Sequence, residues 1–208
     1  MRKIIVSFLP LLVAAPLMGQ TMVGVRAGLN RSTISAEGAS NQDARMGMVV
    51  GVDAALPLAG AIELRVGGAY AQKGSGASEE GFGAFSLEMD YFQLSTLARI
   101  GTPRAGGLSV GVLLGPWAAF NLSCNASANV DLGELGSVSD SVSCGDDVKG
   151  TDFGIAAGAG AEVAVSEGLR LGLDVVYSMG LANLDDAPGS GKNRSLAIQA
   201  GVMIPFGG

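Results

Sequence analysis

From Ala61 to Ser75 the chain alternates between two kinds of side chain. Glu63, Arg65, Gly67, Ala69, Ala71 and Lys73 take the odd positions, and Ile62, Leu64, Val66, Gly68, Tyr70 and Gln72 take the even ones. Successive side chains of a β-strand point to opposite faces, so this segment reads as a strand with one small-or-charged face and one mostly apolar face. Charges interleaved with Gly and Ala suit a crowded interior. The apolar face must then meet something other than water, and if every strand repeats the pattern that solvent is lipid.

The pattern does repeat. Strand one covers Thr21 to Asn30, with Val23, Val25, Ala27 and Leu29 opposite Gly24, Arg26, Gly28 and Asn30. Strand two covers Arg45 to Leu56, with Met46, Met48, Val50 and Val52 opposite Gly47, Gly51 and Asp53. Strand three is the segment above. Strand four covers Leu87 to Ile100, with Phe92, Leu94, Ala98 and Ile100 opposite Gln93, Ser95 and Arg99. Strand five runs from Gly107 to Leu122 and sets Leu108, Val110, Val112, Leu114 and Phe120 against Ser109, Gly111, Gly115, Trp117 and Asn121. Strand six, Thr151 to Val165, sets Phe153, Ile155, Ala157 and Val163 against Asp152, Gly154, Gly158, Gly160 and Glu162. Strand seven, Leu169 to Met179, sets Leu171, Leu173, Val175 and Tyr177 against Arg170, Gly172, Asp174 and Ser178. Strand eight carries Leu196, Ile198, Ala200, Val202, Ile204 and Phe206 opposite Ser195, Gln199 and Gly201.

The connections alternate in length. Polar loops at Asn30 to Ala44, Gly74 to Ala84, Ser123 to Gly150 and Gly180 to Asn193 alternate with tight turns at Pro57 to Gly60, Thr102 to Gly106 and Ser166 to Gly168. An eight-stranded antiparallel up-and-down transmembrane β-barrel requires this, with short turns at one end and long loops at the other. An even strand count also lets the sheet close without free edges. A soluble lipocalin-like barrel has the same period but turns its apolar face inward. Its outer surface would here be built of Gly, Ala and a few charges, which is a poor aqueous surface.

Composition narrows the class. Hydrophobic residues make up 48% and charged residues 15%, yet no internal apolar run reaches the length of a membrane-spanning helix. The one long apolar run is N-terminal: Arg2 and Lys3 precede Ile4 to Ala15, the layout of a secretory signal peptide. The expected division is a signal peptide at 1–19 and a barrel domain at 20–208. Losing Arg2 and Lys3 takes the formal charge from −6 to −8, which argues against nucleic acid as a partner. Cys124 and Cys144 lie in a polar segment of an exported chain, and a disulfide between them is the default in an oxidising compartment.

With the apolar face outward, the interior holds Arg26, Asp53, Glu63, Arg65, Arg99, Glu162, Arg170 and Asp174, with Gln93 and Gln199 among them. An eight-stranded barrel is only wide enough for side chains to fill it, so these charges are expected to pair into a structural plug. A narrow polar path or proton relay is the functional alternative, and Trp117 reads as an interior filler. The chain contains no histidine, which removes the usual base of Ser or Cys hydrolases, and no spacing supports a Ser dyad with Lys73. No catalytic residue, metal site or cofactor is expected. The longest loop is acidic, with Asp131, Glu134, Asp140, Asp146 and Asp147. It could hold a divalent cation, although a solvated charged loop accounts for the same residues.

Several fragments resemble the PorT-like outer-membrane β-barrel family. They are Gly-Val-Arg-Ala-Gly-Leu-Asn from Gly24, Glu63-Leu64 followed by Tyr70-Ala71-Gln72-Lys73-Gly74, and Gly115-Pro116-Trp117. The resemblance spans the mature chain and implies a small barrel in the outer membrane of a Gram-negative bacterium. Strand four departs from it, reading Phe92-Gln93-Leu94-Ser95 where the family carries Glu and Pro. Phe206 resembles the terminal aromatic of the barrel-assembly signal, which implies the barrel-assembly machinery and outer-membrane lipid as partners. The expected role is non-enzymatic and structural, or an interaction with an extracellular or envelope protein through loop 123–150. An accessory part in a secretion or gliding apparatus is the alternative that the resemblance allows.

Overall fold

The computed structural model describes residues 20–35, 43–79, 83–102, 107–131, 136–145, 148–166, 168–184 and 191–207. The expected signal peptide, 1–19, lies outside them. Among the described residues nine strands form: β1 (Met22–Ser35), β2 (Asp43–Ala59), β3 (Ile62–Glu79), β4 (Gly83–Gly101), β5 (Leu108–Asp131), β6 (Ser137–Ser143), β7 (Thr151–Ser166), β8 (Leu169–Gly180) and β9 (Lys192–Pro205). All pairings are antiparallel. The order β4-β3-β2-β1-β9-β8-β7-β5 is closed into a ring by β4 against β5, and β6 is appended to β5 outside the ring. The barrel is thus eight-stranded, and the ninth strand is not part of its wall. The seam joins the two chain ends, Met22 opposite Pro205, and the Phe206 N–H donates to the Thr21 carbonyl at 2.8 Å.

Alternation sorts the two faces as read from the sequence. Val25, Val52, Leu114, Leu173 and Ile198, on five different strands, are each more than half exposed on the outside. Glu63, Arg65, Arg99, Glu162 and Asp174 are buried inside. The lipocalin-like alternative would reverse these faces and does not form. What surrounds the outer belt is the hydrocarbon of a bilayer, where exposed Val, Leu and Ile are the stable choice.

The segments read as connections are corrected in several places: β1 runs on to Ser35 and β2 starts at Asp43, which shortens the loop read as Asn30 to Ala44, and β2 continues to Ala59 through the turn read as Pro57 to Gly60. Gly74 to Ala84 is not a loop: β3 continues to Glu79 and β4 starts at Gly83. Ser123 to Gly150 is not one either, because β5 runs on to Asp131 and β6 pairs back along it from Asn125 opposite Ser143 to Asp131 opposite Ser137. Strands of 18, 19 and 24 residues in β3, β4 and β5 far exceed the roughly 9–11 that cross a bilayer. Their short-turn ends lie close to the barrel, so the excess projects from the opposite end as a sheet made from the tops of β3, β4 and β5 together with β6. A register shift at Asp90/Tyr91 marks where β4 and β5 leave the wall.

Gly74 makes the matching bend in β3. Its φ of +142° is open to glycine alone, and a Cβ there would run into the Leu87 carbonyl oxygen. The bend is held from the neighbouring strands: Ser32 Oγ donates to the Gly74 carbonyl at 3.0 Å and Arg45 to the Lys73 carbonyl at 2.8 Å.

Candidate functional site

Three polar or apolar clusters stack along the barrel axis. The lowest is built on inward positions of β1, β2, β3, β7 and β8, where charged residues alternate with glycine. Large charged side chains fit only because the positions facing them are bare: a Cβ on Gly160 would collide with Asp174 Oδ1. Arg26 Nε donates to Asp53 Oδ1 at 2.8 Å, and its Nη1 pairs with Asp174. Arg65 sits at the centre. It donates to Glu63 at 2.8 Å and to Asp174 at 3.1 Å, and it also pairs with Glu162. Arg170 reaches Glu63 at 3.7 Å. Seven of the eight interior charges read from the sequence therefore meet in one network. The eighth, Arg99, lies near the short-turn end, where its Nη2 donates to the Ser109 carbonyl at 3.3 Å and to Ser109 Oγ at 3.1 Å.

Above the network lies a cavity of about 100 Å³, with Arg26, Arg65, Asp53 and Asp174 at one end and Lys73 at the other. It has room for several waters. Lys73 caps it. Its ammonium is fully buried, 4.0 Å from the centre of the Trp117 ring and 5.4 Å from that of Tyr91, with no hydrogen-bond partner among the described residues. Nearby, Asn193 Nδ2 donates to Asp152 Oδ2 at 2.8 Å and to Tyr91 at 3.3 Å. The sequence reading placed Lys73, Asp152 and Trp117 on inward positions but assigned them no shared site. Alternation says which way a side chain points. Which inward residues meet depends on the shear of the closed sheet, which no single strand reveals.

The third cluster is the base of the projecting sheet. Cys124 and Cys144 form a disulfide with a Cα–Cα distance of 5.4 Å, and the Cys144 N–H donates to the Cys124 carbonyl at 3.1 Å. Met89, Tyr91, Trp117 and Cys124 are buried together here, with Leu87, Cys144 and Val148 packed against them. Of the acidic residues of this segment, Asp140 lies on β6; the side chains of Asp131, Glu134, Asp146 and Asp147 are outside the described residues.

Comparison with known proteins bears on this architecture. The family described as "Outer membrane protein beta-barrel domain" matches residues 18–186. Among solved structures, the chain is similar to the Neisserial surface protein A, at 17% identity over 89% of this chain and 97% of that one, with a TM-score of 0.51. It is also similar to the outer membrane protein OprG from Pseudomonas aeruginosa, at 12% identity over 91% and 97%, with a TM-score of 0.54. No curated protein matches the sequence. The structural likenesses carry the fold alone. The family match covers most of the chain, and with the outward apolar belt and the closed eight-stranded wall it gives the compartment as well: this chain belongs to the outer membrane protein beta-barrel domain family and resides in the Gram-negative outer membrane.

Proposed function

We propose that this barrel is a non-enzymatic surface protein whose interior is a structural plug and whose work is done by the sheet projecting from the membrane. The observation that supports this most is the contrast between the two ends of the molecule. Inside, Arg26 and Arg65 each bridge carboxylates from separate strands, so the lumen is crossed by ion pairs. Outside, four strands rise well beyond the lipid belt, and a disulfide ties the end of β6 to β5. An enzymatic barrel needs a nucleophile beside a base, and a chain without histidine has lost the commonest base. The PorT-like form of the proposal, an accessory of a secretion or gliding apparatus, places the partner of the same surface within such an assembly; secretion measured after deletion of the gene tests it.

The plug is tested by single-channel recording in planar bilayers. Purified protein is expected to give no discrete ohmic steps at neutral pH. Steady conductance through the wild-type lumen would replace the plug with a pore and overturn the proposal.

A further inference from the structure

The projecting sheet has one face that water should not see. Register runs Leu87–Ala126–Val142 across β4, β5 and β6, then Phe85–Ala128–Asp140, then Val130–Val138. All lie on the same side as Met89 and Cys124, the side facing the barrel mouth. The opposite side is polar: Ser86, Glu88, Asn125, Ser127, Asn129, Ser139, Ser141 and Ser143. Leu87 is partly covered by the cluster below, but Phe85, Val130, Val138 and Val142 are 49%, 45%, 58% and 65% exposed. These four stand above the lipid, so bilayer hydrocarbon does not cover them.

Among the described residues the same sheet ends on an open edge. β6 pairs with β5 on one side and is the terminal strand of the order. The Cys144 to Cys124 bond fixes the phase of the ladder, so the N–H and C=O groups of Ser139, Ser141 and Ser143 point away from β5. One edge donor is satisfied locally: the Ser141 N–H donates to Asp140 Oδ1 at 2.8 Å.

We infer that the β6 edge captures an extended polypeptide segment of an extracellular partner as an added strand, with the side-chain pattern apolar, any, basic, any, apolar. An added strand would pair with the outward-pointing groups of Ser139, Ser141 and Ser143. Its apolar side chains would lie beside Val138 and Val142 and extend the exposed face. Its cation would stand beside Asp140. The exchange is matched at Asp140: a partner carbonyl takes over the Ser141 N–H and leaves the carboxylate to pair with the incoming cation. The occupant is therefore a basic strand, complementary to a chain carrying −8 after loss of the expected signal peptide. This deepens the surface-binding function proposed above and rests on it.

The test uses the full mature chain in detergent micelles and a fluorescein-labelled, end-capped Thr-Val-Thr-Lys-Thr-Val-Thr peptide, read by fluorescence anisotropy. A control peptide of the same composition has its valines and lysine scattered over both faces. Ser139→Pro removes one edge N–H without touching the β5–β6 ladder, and Asp140→Lys reverses the central charge. Saturable binding is expected, weakened roughly ten-fold or more by either substitution and by scrambling, as loss of a backbone hydrogen bond or an opposed charge should do. Asp140→Lys should in turn favour the peptide with Glu in place of Lys. No saturable binding, or equal binding of both peptides, or indifference to Ser139→Pro, would overturn the strand-addition inference. Failure of the function itself reads differently: Ser139→Cys that cannot be labelled by an impermeant maleimide on intact cells would put this sheet away from the surface.

Discussion

Arg65 is the residue on which the interior depends most, and its removal has a magnitude that can be worked out. The guanidinium is 4% exposed and meets carboxylates from three positions, Glu63, Glu162 and Asp174. Glu63 also has Arg170 at 3.7 Å, and Asp174 also has Arg26. Arg65→Met keeps much of the volume but removes the positive charge that Glu63, Glu162 and Asp174 share. At an effective dielectric near 20, a contact at about 3 Å is worth about 5 kcal/mol of attraction, most of it offset by the desolvation already incurred. Breaking a buried pair by deleting one partner costs about 3–5 kcal/mol, and Arg65→Met should fall in that range. Arg45 and Glu88 supply the comparison: they pair at 3.2 Å, but the Glu88 side chain is 47% exposed, so Glu88→Gln should cost under about 1 kcal/mol. The assay is reversible urea unfolding in vesicles or micelles, followed by fluorescence of Trp117, the single tryptophan and 3% exposed in the folded chain. Adding Glu162→Gln to Arg65→Met should recover part of the loss, because the double variant buries one negative charge fewer around the vacated position. Equal, small costs for Arg65→Met and Glu88→Gln would refute the reasoning, since the buried network would then contribute no more than a surface pair.

Three further outcomes are expected. A double-mutant cycle between Lys73→Met and Trp117→Leu, with unfolding followed by far-ultraviolet circular dichroism because Trp117→Leu removes the single tryptophan, should show a coupling of about 1–2 kcal/mol, the worth of a desolvated cation over an indole ring; additivity would mean that the two side chains merely adjoin. Leu173→Arg, near the middle of the lipid belt, should cost about 2–4 kcal/mol in the same unfolding assay, whereas Ser141→Arg on the projecting hairpin should be nearly neutral. Replacing both cysteines by serine removes a link closing a segment 20 residues long, worth roughly 3 kcal/mol by chain entropy. Hydrogen exchange should accelerate across β6 and the top of β5 and stay unchanged in the wall strands, and acceleration throughout the barrel would contradict the separation of wall and projection.

The wall of the barrel was legible because every strand from Val23 to Ile204 repeats one two-residue rule, and a rule of period two needs no tertiary information. The interior charges were legible for the same reason, since Arg26 or Asp174 on the side opposite the apolar residues has nowhere else to go. The β6 hairpin was not legible. Its sequence, Ser-Val-Ser-Asp-Ser-Val-Ser, alternates as faithfully as the wall, but its second face is serine and its first is interrupted by Asp140, so composition reads as a polar loop. The strand extensions past Gly74 failed similarly, because a glycine and serine run signals a turn while the structure uses the one glycine at +142° to bend a continuing strand. The Lys73, Tyr91, Trp117 and Asp152 cluster failed for a different reason. Its members come from β3, β4, β5 and β7, and their meeting is a property of the closed register alone.

The central claim is that the charged face is inside and the apolar face is in lipid. The direct measurement is heat modifiability: membranes are extracted with buffer and then with mild detergent, and boiled and unboiled samples are compared by electrophoresis, with and without reductant. Extraction by detergent alone, together with a large mobility shift on boiling that persists in reductant, is the predicted result. A buffer-soluble protein whose mobility is the same before and after boiling would contradict it, and the Val, Leu and Ile belt would then have to line a ligand cavity instead of facing a bilayer.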